Sequence, residues 1–117
     1  MKVITIYHNP RCSKSRQTLQ LLRDNGVEPK IVEYLKIPLQ KSELKNIADM
    51  LGLRPKEFIR KNENDFKENN LGAVIDNDEK IIDAMISYPK IIERPIVTLG
   101  KLAVIGRPPE NVLEVLR

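Results

Sequence analysis

The sequence predicts an α/β domain built on a mixed four-stranded sheet, and three observations carry that prediction. A short alternating strand is followed by a helix and a second β-branched run; a helix-rich stretch with little strand character comes next; and two short apolar runs separated by Gly100-Lys101 close the chain before a last helix.

Lys2 to Tyr7 alternates Ile and Val with polar residues and reads as the first strand, and His8-Asn9-Pro10-Arg11 breaks it. From Ser13 to Asn25, Leu19, Leu21 and Leu22 fall at helical spacing, with Gly26 as the stop. Lys30 to Leu35 reads as a second strand. Together these make a β-α-β unit, whose strands run parallel because the crossover is long enough to return.

Ser42 is placed to cap a helix through Leu44, Ile47, Ala48 and Leu51 that ends at Gly52. Pro55 opens a further helical turn through Phe58 and Ile59. The polar stretch Asn62 to Asn70 reads as a short helix or a loop. Asp78 to Ser87 is helical, with Ile81, Ile82, Met85 and Ile86 as its apolar side. Ile96 to Leu99 and Leu102 to Ile105 then form a hairpin, and a helix starting at Pro109 carries Val112, Leu113 and Leu116.

There are no repeats or low-complexity linkers, so residues 1–117 read as one domain, with a helical insertion over about 40–90. The element order, with an X-Pro bond just before the hairpin, suggests a thioredoxin-like architecture in which helices flank the sheet. An α/β sandwich of another topology is compatible with the same order.

Composition narrows the function. The net charge is +4, but acids and bases are interspersed and no block of five like charges occurs. That pattern argues for a small acidic substrate rather than nucleic acid. No apolar run approaches the roughly 20 residues of a membrane helix, and the N-terminus has no signal-peptide pattern. A cytoplasmic protein is expected, and a monomer, since no apolar excess calls for association. The single cysteine excludes an intrachain disulfide and a multi-thiolate metal site, so no metal and no resident cofactor are expected.

Cys12 falls in the turn between the first strand and the first helix, where its sulfur faces the helix N-terminus. A lone cysteine is most often a small buried hydrophobe. Here, though, the only histidine, His8, stands in the same short loop, with Ser13, Ser15, Arg11, Lys14 and Arg16 nearby. An ordinary thiol is only about 3% ionised at neutral pH. Lowering its pKa by about two units takes roughly 3 kcal/mol, more than the roughly 0.3–1 kcal/mol that an exposed helix end supplies. A protonated His8 is expected to contribute to the remainder. The loop is not a phosphatase anion loop, since Thr18 stands where the arginine belongs. Nor is it a dithiol site, since Cys12-Ser13-Lys14-Ser15 has one thiol. Cys12 therefore needs an outside thiol to release any adduct.

His8-Asn9-Pro10-Arg11-Cys12-Ser13-Lys14-Ser15-Arg16 closely resembles the signature of the glutaredoxin-dependent arsenate reductase family. The resemblance continues at Phe58-Ile59-Arg60-Lys61-Asn62, Glu93-Arg94-Pro95-Ile96-Val97 and Ile105-Gly106-Arg107-Pro108-Pro109, in the family's order and over nearly the whole chain. It implies a thioredoxin-like fold with a helical insertion. It also implies that Cys12 attacks arsenate, with glutathione and glutaredoxin as external reductants that complete the reduction to arsenite. By the same resemblance Arg60, Arg94 and Arg107 bind the anion, His8 activates the cysteine and Ser15 supports the thiolate.

Strand direction gives a separate reason for two of these arginines to converge. If the hairpin's first strand is antiparallel to the opening strand, Arg94-Pro95 enters beside Cys12, and the second hairpin strand brings Arg107 back to Arg94. That sharp entry predicts a cis Arg94–Pro95 peptide. Two other functions fit parts of the pattern: a glutathione-dependent thiol transferase, since Cys12-x-x-Ser15 is similar to a monothiol glutaredoxin site, and a redox regulator of the Spx type that binds RNA polymerase.

Overall fold

The computed structural model describes residues 3–116. The chain forms two compact units, one made of residues 1–37 and 94–117 and the other of Pro38–Glu93.

The first unit contains the sheet. Strands β1 (Ile4–Tyr7), β2 (Lys30–Val32), β3 (Ile96–Leu99) and β4 (Leu102–Ile105) lie in the order β2-β1-β3-β4. β1 and β2 are parallel, whereas β1–β3 and β3–β4 are antiparallel. This is the mixed four-stranded sheet the sequence predicts. Strand β2 is shorter than expected because its partner gives out: His8 N–H donates to Val32 O, and Asn9-Pro10 then turns away. Glu33 onward has no strand to pair with and forms a turn closed by Lys36 and Ile37 N–H on Glu33 O.

Helix α1 (Ser13–Asp24) packs its buried side on the sheet. Leu22 from α1 meets Ile6 of β1, Val97 of β3, and Val112 and Val115 of the closing segment in one core, with Ile4, Leu99 and Val104 from the same sheet face packed against it. The helix stops where expected. Gly26 adopts φ 79°, which disfavours any residue with a side chain, and Gly26 and Val27 N–H return to Arg23 O and Leu22 O. The closing segment, Pro109–Leu116, is wound as 3₁₀ helix rather than α-helix.

The second unit is helical: α2 (Lys41–Leu51), α3 (Asn64–Glu68) and α4 (Asp78–Ser87), joined by 3₁₀ turns at Pro55–Phe58, Leu71–Val74 and Pro89–Ile91. Leu44, Ile47, Phe58, Ile81, Met85 and Ile91 are fully or almost fully buried. The cap of α2 differs from expectation. Gln40 rather than Ser42 begins the helix, and the Glu43 carboxylate accepts its backbone N–H at 3.1 Å. The pattern of a serine before an apolar run hid a reciprocal cap two residues earlier. The interspersed charges of this segment form exposed ion pairs, Lys41 and Lys45 both reaching Glu79, a solvated arrangement that contributes little to stability.

Leu22 is fully buried at the centre of the α1–sheet core. Leu22→Ala is expected to cost about 2–5 kcal/mol of unfolding free energy, read as a lower denaturant midpoint with an unchanged slope.

Candidate active site

The site is assembled by one row of the sheet. Tyr7 ends β1 and is paired with Ile96, which begins β3, and Ile96 is paired with Ile105, which ends β4. The chain leaves this row in three places. After Tyr7 come His8 to Cys12, two residues before Ile96 stands Arg94, and two residues after Ile105 stands Arg107. Strand direction therefore brings the loop and two arginines to one edge. The Arg94–Pro95 peptide is cis, as the sharp entry predicts, and so is Arg107–Pro108, which the sequence reading did not anticipate.

Cys12 is the residue before α1, in extended conformation (φ −91°, ψ 121°). Its N–H donates to Asn9 O and its carbonyl accepts Arg16 N–H, so the loop closes on itself. Burial pushes the thiol pKa up. Against this, the Ser15 backbone N–H, the Arg94 side chain and the Lys14 backbone N–H all donate to the sulfur, and the net result lies below the ordinary value of 9.0. Arg107 Nη2 also reaches Sγ, at 3.5 Å. Its Nε donates to Arg94 O at 2.7 Å, which ties the two arginine segments together. The sulfur thus sits at a helix end between two guanidinium groups, with part of its surface open to solvent.

His8 is placed differently from the expectation of a cationic activator. It is buried, and that burial lowers its pKa from 6.5, with Arg23 and Arg16 reinforcing the shift and Glu33 opposing it. The imidazole is therefore neutral at neutral pH. Its Nδ1 lies 2.6 Å from the hydroxyl of Ser15, which is itself fully buried and accepts the N–H of Asn9 at 3.1 Å. The Ser15 hydroxyl holds the loop, while its backbone N–H serves the sulfur. Arg16 is drawn off to Pro10 O.

Arg60 belongs to the helical unit, where its guanidinium contacts Glu63 at 3.2 Å and Glu93 at 3.3 Å. Arg94 and Arg107 are thus the predicted anion binders that the sheet brings to Cys12. Sequence reasoning missed Asn9, which is buried and whose Oδ1 accepts Arg11 N–H at 3.0 Å. Its signals were the Asn-Pro pair just after β1 and its place in the His8–Arg16 segment. Among the described residues no group of three His, Cys, Asp or Glu could hold a metal ion, and no helix is long and apolar enough to cross a membrane.

Charge is divided unevenly along the chain. The unit carrying Cys12 has eleven Lys and Arg against five Asp and Glu, a formal charge of +6, and the helical unit has nine against eleven. An anion approaching Cys12 meets an attractive field as well as local donors.

The ArsC family profile matches residues 7–115. The chain is 48% identical over 116 residues to the uncharacterized protein YfgD of Escherichia coli K12, covering 98% of both. It is 44% identical over 117 residues to an arsenate reductase of the same strain, covering 99% of this chain and 82% of that protein. Among solved structures, an arsenate reductase from Vibrio cholerae superimposes with a TM-score of 0.93 at 44% identity, over 97% of this chain and 98% of that one. The fold is thioredoxin-like.

Two measurements check the electrostatics. Because His8 has a lowered pKa in the folded state, unfolding takes up a proton below 6.5, so its contribution is intact above that value and lost as pH falls through the folded pKa. The stability advantage of the parent over His8→Gln is therefore expected to shrink between neutral pH and about pH 5, and parallel urea-unfolding curves would contradict this. Alkylation of Cys12 as a function of pH is expected to give a midpoint below 9.0 that moves upward in Arg94→Gln.

Proposed function

The chain belongs to the ArsC family, and from that premise we propose that it is an arsenate reductase-like oxidoreductase whose nucleophile is Cys12. The observation that carries the reading is the Cys12 sulfur held at the N-terminus of α1 with the Arg94 and Arg107 side chains upon it. A thiolate so placed attacks an electrophilic centre, and paired guanidinium groups suit the oxygens of a tetrahedral oxyanion. Relatives with 42–44% identity are named arsenate reductases, which supports arsenate as that anion.

In this mechanism the thiolate attacks arsenic and displaces an oxygen as water, leaving a sulfur–arsenic bond. Arg94 and Arg107 hold the remaining oxygens and the charge that builds on them. His8 and Ser15 keep the loop in shape. Cys12 has no second thiol in the chain, so the two electrons come from outside. One glutathione condenses with the adduct, and glutaredoxin supplies the exchange that releases arsenite. Overall, arsenate and two thiols become arsenite, one disulfide and water. Such thiol-dependent turnover belongs in a reducing compartment, the cytoplasm.

The test is NADPH oxidation by the purified protein with glutathione, glutaredoxin and glutathione reductase, with and without arsenate. Turnover that depends on arsenate and vanishes in Cys12→Ser is expected. Arg94→Lys is expected to raise KM for arsenate about tenfold, because charge is kept while the forked donor geometry is lost. Absence of arsenate-dependent turnover in the parent would sink the substrate assignment.

A further inference from the structure

One contact beneath the site leaves no room for a side chain at Gly106. Thr18 lies on the buried side of α1, in line with Ser15 and Leu22, and all three are fully buried. Its hydroxyl donates to Lys14 O at 2.8 Å, back along the helix, so its single proton is spoken for. The same oxygen rests 3.5 Å from Gly106 O, at the outer limit of a hydrogen bond. Gly106 is the residue between β4 and Arg107. A Cβ at this position would stand 2.6 Å from Thr18 Oγ1, 3.1 Å from Thr18 Cγ2 and 2.9 Å from Pro95 Cγ. None of these is the far end of a flexible side chain. Between the Thr18 side chain and the Pro95 ring there is no room for a methyl group, so the position takes a glycine.

The segments meeting at Gly106 are the ones that carry the arginines. Gly106 N–H donates to Pro95 O at 2.9 Å, Arg107 N–H to Ile105 O at 2.9 Å and Arg107 Nε to Arg94 O at 2.7 Å. Asn111 Nδ2 holds Arg107 O from the far side at 3.0 Å. Arg94-Pro95 and Gly106-Arg107 are thus one tied body, and Thr18 is where that body rests on α1. The same helix carries Cys12 at its start. The Arg107 Nη2 contact with sulfur, at 3.5 Å, leaves little slack before the interaction weakens.

We propose that Thr18 and Gly106 form a spacer that fixes how far the arginine pair stands from the Cys12 sulfur, making both of them positioning residues for the anion site. Thr18 acts through its volume rather than its hydrogen bond. The position matters because the residue there lies in the first two turns of α1 and faces the sheet, where a larger or smaller side chain moves both arginines relative to the sulfur at once. This inference rests on the proposed role of Arg94 and Arg107, and it is tested first by a readout that needs no arsenate.

The readout is the pH midpoint of Cys12 alkylation, followed by KM and kcat with arsenate. Gly106→Ala pushes the arginine body off α1 and is expected to raise the thiol midpoint and to raise KM for arsenate about tenfold with a smaller change in kcat. Removing Thr18's bulk in the double variant Gly106→Ala/Thr18→Ala is expected to bring the midpoint back toward the parent. A pair of single variants makes the test independent of whether Gly106→Ala folds. Thr18→Val keeps the volume and should leave the midpoint unchanged, whereas Thr18→Ala empties the spacer and should raise it. Equal shifts in Val and Ala, or no shift in either, would overturn the proposal, as would additive effects in the double variant. Midpoints that move as expected in a protein inert toward arsenate would uphold the spacer and reject the substrate.

Discussion

A sulfur anion must be kept partly out of water at one end of a small sheet, and the other features of the site follow from the opposition this sets up. Burial alone raises the Cys12 thiol pKa, which would leave a poor nucleophile. The shift is reversed by donors that reach one atom from separate parts of the chain: backbone N–H groups of the first helical turn and the guanidinium groups that flank β3 and β4. A helix end at an exposed site gives only about 0.3–1 kcal/mol. Arg94 therefore joins the backbone donors in favouring the thiolate itself, in addition to any part it takes in holding a substrate.

This requirement explains why the buried positions of the loop are polar rather than charged. His8, Asn9 and Ser15 are all buried, and they satisfy one another and the backbone instead of facing the sulfur with side-chain charge. The arrangement is complete when the Ser15 O–H donates to a neutral imidazole while its oxygen accepts the Asn9 N–H. Removing any member leaves a buried donor or acceptor without its partner, at a cost of about 1–3 kcal/mol. Rigidity in the loop and reactivity at the sulfur thus come from different groups.

Much of this was legible in the sequence because strand direction is a strong constraint. Once the first strand, the helix and the hairpin are recognised, the antiparallel β1–β3 pairing puts Arg94 and Arg107 beside the loop, and the register of Tyr7, Ile96 and Ile105 does so. The spans of α4, β3 and β4 also follow from local pattern, since turn residues bracket each of them. What stayed hidden depends on contacts between residues far apart in the chain. The charge state of His8 depends on its burial, which the period of β1 does not reveal. The reach of Thr18 to Gly106 spans 88 positions, and no spacing rule announces it. The end of β2 is set by where its neighbour turns away, and the cap of α2 by a reciprocal pair that a single serine obscured.

The hairpin that carries the arginine segments has its turn at the other end. Gly100, at φ 60°, reverses the chain, and it stands four steps along the strand from Ile96 of the Ile96–Ile105 row, about 13 Å at the usual rise. Near the turn the surface is open, with Leu102 54% exposed and Val3 of the same sheet end 63% exposed. Evolution or a protein engineer thus has a place to lengthen the loop or graft a peptide at Gly100-Lys101 while the chemistry at the opposite edge goes on undisturbed. A scaffold with its reactive centre at one rim and a permissive turn at the other is suited to carrying fused labels.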